Sequence, residues 1–236
     1  MRLFQISFSH NCVKVRHVLD LKGLRYETVD INPLWRPDVL RASRQPLVPA
    51  LVDGVRSVSG STPILLYLEG AYPGLQLLPE NGPERAKCLV LMDWADTTFM
   101  ALTRRLAYFQ VLAGPAENLG SLFFPALSPD MKRPAGAVAG LALRTRFGIT
   151  AKRNRRDADE ARRASSVAVQ RLAERAHLVG DRVTLADITL ATMSAPLQWA
   201  GPEVSADPAV RRLLEWDSEI LGRDFTPPRA SALAAA

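Results

Sequence analysis

The chain has 236 residues, 47% hydrophobic and 23% charged, an ordinary globular composition long enough to bury a core in one or two domains. A net charge of +6 and a pI near 9.7 raise nucleic acid as a partner. However, the arginines mostly run beside acids, as in Arg155-Arg156-Asp157-Ala158-Asp159-Glu160-Ala161-Arg162-Arg163, which reads as a solvated helix face and argues against nucleic acid.

Arg2–Ile6 is a short apolar run of strand type. It stops at Ser7-Phe8-Ser9-His10-Asn11-Cys12, after which Val13, Val15, Val18, Leu19 and Leu21 recur at mostly helical spacing. A strand therefore feeds a polar turn that opens a helix. The free N–H groups and partial positive charge of a helix start suit an anion, and a hydroxyl, an amide and a thiol sit there. Gly23 breaks the pattern, Tyr26–Ile31 alternates like a second strand, and Asn32-Pro33 ends it. Pro37–Ser43 reads as a short helix with proline in its first turn. Leu47–Val52 is a strand with Pro49 inside it, Asp53-Gly54 is a hairpin signal, and Val55–Val58 is the returning partner. Ser61 or Thr62 can cap the next helix, with Pro63 at its first position and Ile64, Leu65, Leu68 and Glu69 following. The order βαβ then ββα predicts a small mixed sheet with helices against it, an α/β domain over residues 1–76.

From Glu84 the strand signals vanish. Cys88, Leu89, Leu91, Met92, Ala95, Phe99, Leu102, Leu106 and Phe109 form a long amphipathic stripe, closed by Gly114-Pro115. Residues 116–133 look irregular. Helical patterns resume over Ala135–Phe147, Asp157–Ala176, Thr184–Leu197 and Pro208–Leu221. An all-helical domain is thus expected over 84–229, with the alanine-rich 230–236 frayed. Cys12 and Cys88 are too few for a disulfide framework and suggest a reducing compartment. Met1-Arg2 shows no leader pattern and no apolar stretch reaches membrane-spanning length, so the expectation is a cytosolic protein without a membrane partner. No histidine, cysteine and carboxylate spacing suggests a metal.

These motifs, in this order, resemble the glutathione S-transferase family, whose fold is a thioredoxin-like domain followed by a helical one. Ser9–Glu27 looks like the family's S-x-x-x-x-[RK]-V-[RK]-x-x-L-x-x-K-G-[IL]-x-Y-E. Val48–Gly54 looks like the cis-proline loop that faces glutathione, and Ser59–Glu69 resembles the turn that grips the γ-glutamyl end. His177–Ile188 is similar to the helical domain's capping motif. Val29–Pro33, Val48-Pro49, Trp94-Ala95-Asp96 and the basic tract Arg144–Arg156 are similar to the prostaglandin E synthase type 2-like branch, whose members bind haem with glutathione; that branch carries C-P-[FY]-C where this chain has Ser9-His10-Asn11-Cys12.

The resemblance implies glutathione as co-substrate, a homodimer, and Ser9 as the hydroxyl that holds the thiol ionised, with Asn11 the rival donor. The competing role for Ser9 is a helix cap, and the motif context favours the thiol role. Cys12, in the first helical turn, is a thiol–disulfide candidate or simply packs beneath the turn; Cys88 reads as core. Val48 would pair with the glutathione backbone beside Pro49, and Ser61 and Thr62 would hold the γ-glutamyl carboxylate. Gly60 stands where the family carries an acid. Thr184 and Asp187 form a structural capping box. The second substrate is expected between the halves, against His10, Met100, Arg104 and Tyr108. Three functions follow: conjugation of glutathione to a small hydrophobic electrophile, carriage of haem or another flat apolar ligand, or disulfide reduction through Cys12.

Overall fold

The computed structural model describes residues 1–32 and 36–222; Pro33 and the tail 230–236 lie outside the described residues. Strand β1 (Arg2–Gln5) crosses through helix α1 (His10–Leu21) to β2 (Glu27–Asp30), which lies parallel to it with Phe4 opposite Val29. Helix α2 (Pro37–Ser43) leads to β3 (Ala50–Asp53), antiparallel to β1, and β4 (Arg56–Ser59) completes a sheet of order β2-β1-β3-β4. Helix α3 (Ser61–Ala71) follows. Strand alternation sends Phe4 and Ala50 to α2, where they pack with Val39. Leu3 and Leu51 point to the other face, where α1 and α3 pack together.

The strand bounds differ from the sequence reading by one to three residues, and two of the starts have a local cause. β3 begins at Ala50, not Leu47, because proline offers the ladder no donor; the Val48–Pro49 peptide is cis. In the hairpin Asp53 pairs with Arg56, so Gly54 and Val55 form the loop and β4 starts one residue later than expected.

The long stripe from Glu84 is not one helix. It comprises α4 (Gly82–Trp94), a π-helical turn at Ala95–Phe99, and α5 (Met100–Val111). The segment that looked irregular holds α6 (Ala116–Phe123) and the start of α7 (Pro129–Phe147). These two helices touch backbone to backbone: a Cβ on Gly120 would lie 1.9 Å from the Lys132 carbonyl oxygen, and one on Gly136 1.7 Å from that of Ala116. Glycines that look like helix breakers are here the condition of close packing. Helix α8 (Ala151–Glu174) starts earlier than expected. α9 (Leu185–Ser194), a 3₁₀ turn (Ala195–Trp199), α10 (Pro202–Ser205) and α11 (Pro208–Leu221) complete the described chain.

By packing, the described chain forms two units: Met1–Ala95 with Arg175–Met193, and Asp96–Glu174 with residues 194–222. In the first unit, Leu77 and Leu78 are buried, and the Leu77 carbonyl accepts from the Leu185 N–H at 2.8 Å. Glu69 accepts from both the Leu77 and Leu78 amides and pairs with buried Lys22 at 2.8 Å. Asp187, fully buried, accepts from the N–H and hydroxyl of Thr184 and from the Leu178 N–H, fixing the start of α9.

Candidate active site

The turn after β1 closes with the Ser9 N–H donating to the Ile6 carbonyl at 2.9 Å. Ser9 then occupies the N-cap of α1 with extended backbone, and its carbonyl accepts from the Cys12 and Val13 amides at 2.8 and 2.9 Å. Its hydroxyl makes no capping bond to the helix; it lies against the Cys12 thiol and is half-exposed. The bland role expected of this serine is therefore filled by its backbone, and the hydroxyl is held at the positive end of a helix.

The start of α3 meets this turn, and the proline loop in turn meets the start of α3. The Ser61 hydroxyl, on the first residue of α3, donates to Asn11 Oδ1 at 3.2 Å. Fully buried Lys14 reaches from α1 to the Thr62 hydroxyl at 3.4 Å. The Gly60 amide donates to the Pro49 carbonyl at 2.9 Å, and Gly60 adopts φ 90°, a conformation suited to glycine as it turns β4 into α3. The N-termini of α1 and α3, both without an acidic residue in the first turn, thus lie side by side next to the cis-proline. Such a pairing favours bound negative charge. The loop before the cis peptide is held by Gln45, whose side-chain amide donates to the Leu47 carbonyl and the Ser59 hydroxyl, both at 2.8 Å.

Residues 3–76 match the glutathione S-transferase N-terminal domain, and residues 122–224 match the glutathione S-transferase C-terminal domain. The chain belongs to the glutathione S-transferase family. A zeta-class glutathione S-transferase of Euphorbia esula is 39% identical over 90 residues, 36% of this chain and 40% of that protein. A probable maleylacetoacetate isomerase of Vibrio cholerae is 31% identical over 113 residues, 44% of this chain and 53% of that protein. The matched stretch thus spans about two fifths to half of these relatives. A glutathione S-transferase of Methylobacterium radiotolerans, solved in complex with glutathione sulfonate, shares the fold with TM-score 0.66 and 21% identity, covering 97% of this chain and 96% of that one.

Cys12 and Cys88 are free thiols, both buried without exposure. Burial pushes the Cys12 thiol above its ordinary value, against the lowering effect of the Ile6 backbone and the Ser9 hydroxyl. Burial likewise raises Cys88, which lies against Thr184 and Ala186. His10 opens α1, half-buried. Met100, Arg104 and Tyr108 follow one another along α5 in the second unit. Among the described residues, no group of three or more histidine, cysteine or acidic side chains is placed to hold a metal, and no helix is long and apolar enough to cross a membrane.

The sequence reading gave Lys14 no role beyond its place in the family motif and did not single out Gln45. Lys14 stands between Val13 and Val15 at a fully buried position of α1, a cation in the core that signals a buried polar partner. Gln45 carries no such signal; only the fold shows that it braces the proline loop.

Proposed function

We propose that this chain is a glutathione transferase, joining the glutathione thiolate to a small hydrophobic electrophile. The observation that carries the reading is the junction of the α1 and α3 N-termini beside cis-Pro49, tied by the Asn11–Ser61 and Lys14–Thr62 bonds. Glutathione would lie along it. The Val48 backbone would pair with the cysteinyl residue as an added strand, and Ser61 and Thr62 at the start of α3 would take the γ-glutamyl carboxylate. Gly60 brings no carboxylate to the ammonium, so that end is held by fewer charges.

Ser9 would donate its hydroxyl to the glutathione sulfur, stabilising the thiolate over the thiol. Asn11 is the rival donor, through its Nδ2 amide, with its oxygen accepting from Ser61. Cys12 is not the nucleophile in this scheme: its burial favours the neutral thiol and closes it to an incoming disulfide. Two buried free thiols fit a reducing, cytosolic setting, and the working unit would be a homodimer, as the family resemblance suggests. In the first unit His10, next to Ser9, would border the second substrate.

The relatives support this reading in kind, a zeta-class transferase and a probable isomerase among them. A thermal melt with and without glutathione tests the binding step: ligand at about 100 times its dissociation constant should stabilise the chain by about 2.7 kcal/mol. An unchanged melt up to millimolar glutathione ends the proposal. The haem-carrier alternative requires a Soret band on adding haem and no turnover of electrophiles.

A further inference from the structure

Helix α7 carries its bulky apolar residues on the outside. Its inward side presents Gly136 and Gly140, whose lack of a side chain lets it lie close against α6. Met131, Val138 and Leu141 are 49%, 70% and 68% exposed, and Leu127, just before the helix, is 37% exposed. At 3.6 residues per turn, Met131, Pro134, Val138, Leu141 and Ala142 share one side, opposite the two glycines, and all five are exposed. An amphipathic helix ordinarily turns such a stripe to the core, and an outward one marks a surface that is covered in use.

The charge surplus of the chain lies beside that stripe. Thirty lysines and arginines stand against twenty-four acids, and eight of the cations but none of the acids fall between Met131 and Arg156. By helical spacing Arg133 and Arg144 edge the stripe on one flank, and Lys132 and Arg146 on the other. Gly148–Thr150 separate α7 from α8, whose first turns carry Lys152, Arg153, Arg155 and Arg156, all exposed. The Arg153 guanidinium folds back to the end of α7, where a Cβ on Gly148 would lie 2.8 Å from its Nη1. Among the described residues none of the eight cations pairs with a carboxylate. The acids that follow are engaged elsewhere, Asp157 with Arg105 and Asp159 with Arg162, both at 2.6 Å, and Glu160 with Arg163 at 2.7 Å. Asp130 stands at the far end of α7, in its first turn, so the surface that is both apolar and basic centres on Val138 and Leu141. All of it belongs to the second unit.

We propose that this face docks on an anionic lipid surface, with Val138 and Leu141 set below the headgroups and the surrounding lysines and arginines at the level of the phosphates. The partner must be apolar at the stripe and negative around it, and an anionic bilayer is both. A second copy joined through α7 about a two-fold axis would instead bring the same cations against one another. No described helix is apolar enough to cross a bilayer, so α7 would lie along it, and the contact would be reversible and weakened by salt. The expectation of no membrane partner rested on spanning segments and is narrowed to them. The face contains no residue of the candidate active site, and the docking stands without the transferase reading.

The test uses the full chain, without glutathione, and vesicles of phosphatidylcholine alone or mixed equally with phosphatidylglycerol. Cosedimentation should show binding at least about ten-fold tighter to the mixed vesicles, falling as salt rises. Val138→Ser with Leu141→Ser, exposed changes that leave the charge alone, should weaken it at least about ten-fold. Arg153→Gln with Arg155→Gln and Arg156→Gln should weaken it roughly a hundred-fold, each cation being worth about five-fold. Val138→Trp should add fluorescence that brominated acyl chains quench, measured against the tryptophans of the wild type. Absence of binding to mixed vesicles, binding that survives the paired serine variant, or no added quenching in Val138→Trp each overturn the proposal. A dimer in lipid-free sedimentation that the serine pair dissolves assigns the face to a second copy and overturns it too. Should the serine pair fail to fold, the Val138→Trp quenching decides alone.

Discussion

Replacing Ser9 with alanine separates a catalytic hydroxyl from a helix cap. A serine whose side chain caps a helix contributes about 1 kcal/mol, but here the Ser9 hydroxyl makes no capping bond and the helix amides use its carbonyl instead. Ser9→Ala should therefore leave unfolding free energy within about 0.5 kcal/mol of the wild type. A hydrogen bond to a charged acceptor is worth about 1.5–3 kcal/mol, or about one to two pKa units at about 1.36 kcal/mol each. Removing it disfavours the thiolate, so the pKa of bound glutathione rises and the rate profile moves toward alkaline pH. Below the shifted pKa, kcat/KM should fall roughly ten- to a hundred-fold, and the loss should narrow as pH rises. Ultraviolet titration of the bound thiolate and urea unfolding measure the two effects separately. A stability loss near 1 kcal/mol with an unmoved thiol pKa would refute the reasoning and return Ser9 to the role of a cap.

Asp187→Ala strips three bonds from a fully buried site and leaves the Thr184 and Leu178 amides without an acceptor, which at about 1–3 kcal/mol per buried group should cost roughly 3–5 kcal/mol in urea unfolding; a loss under about 1 kcal/mol contradicts it. Asp217 is buried, its Oδ1 has no partner among the described residues, and burial raises its pKa well above the ordinary value despite a 2.6 Å bond from the Ser194 hydroxyl. A raised folded pKa means that stability is full below the unfolded pKa near 3.8 and is lost as pH rises toward the folded value. Asp217→Asn should accordingly stabilise the protein at neutral pH and lose that advantage near pH 4; equal stabilities across this range in thermal melts refute the account. Gly136→Ala drives a methyl into the Ala116 carbonyl and should cost more than the about 1 kcal/mol of ordinary overpacking, read as a lowered melting temperature; an unchanged one refutes the close approach.

The first seventy or so residues were legible because their elements are local: alternation, a polar turn, a proline and a glycine pair each mark a boundary within a few positions. The hairpin slipped by one because Asp53-Gly54 announces a turn without saying which two residues occupy it; the pairing of Asp53 with Arg56 is decided across strands. α6 and the start of α7 were missed since Gly120, Pro134 and Gly136 lower helix propensity, while the backbone approach that makes the glycines necessary is tertiary. On α8 the solvated face expected of the arginine run is found, with Arg155, Arg156 and Arg163 exposed, and one acid departs from it. Asp157, next to Arg156 in sequence, turns inward to Arg105 on another helix. In the candidate site the hydroxyls and the proline were visible as types, whereas the Lys14–Thr62 and Asn11–Ser61 bonds join residues some fifty positions apart and follow only from the fold.

The return of Arg175–Met193 to the first unit has a consequence for how the protein is made. The sheet and its helices leave the ribosome long before Leu185 arrives to bond Leu77 and before Ala186 covers Cys88. Until then Leu77 and Leu78 lack part of their cover, and the nascent front half must wait, incompletely closed, while the whole of Asp96–Glu174 is synthesised. Fragments ending near residue 95 should be aggregation-prone for that reason, and the candidate site should gain its full rigidity only when translation is nearly finished.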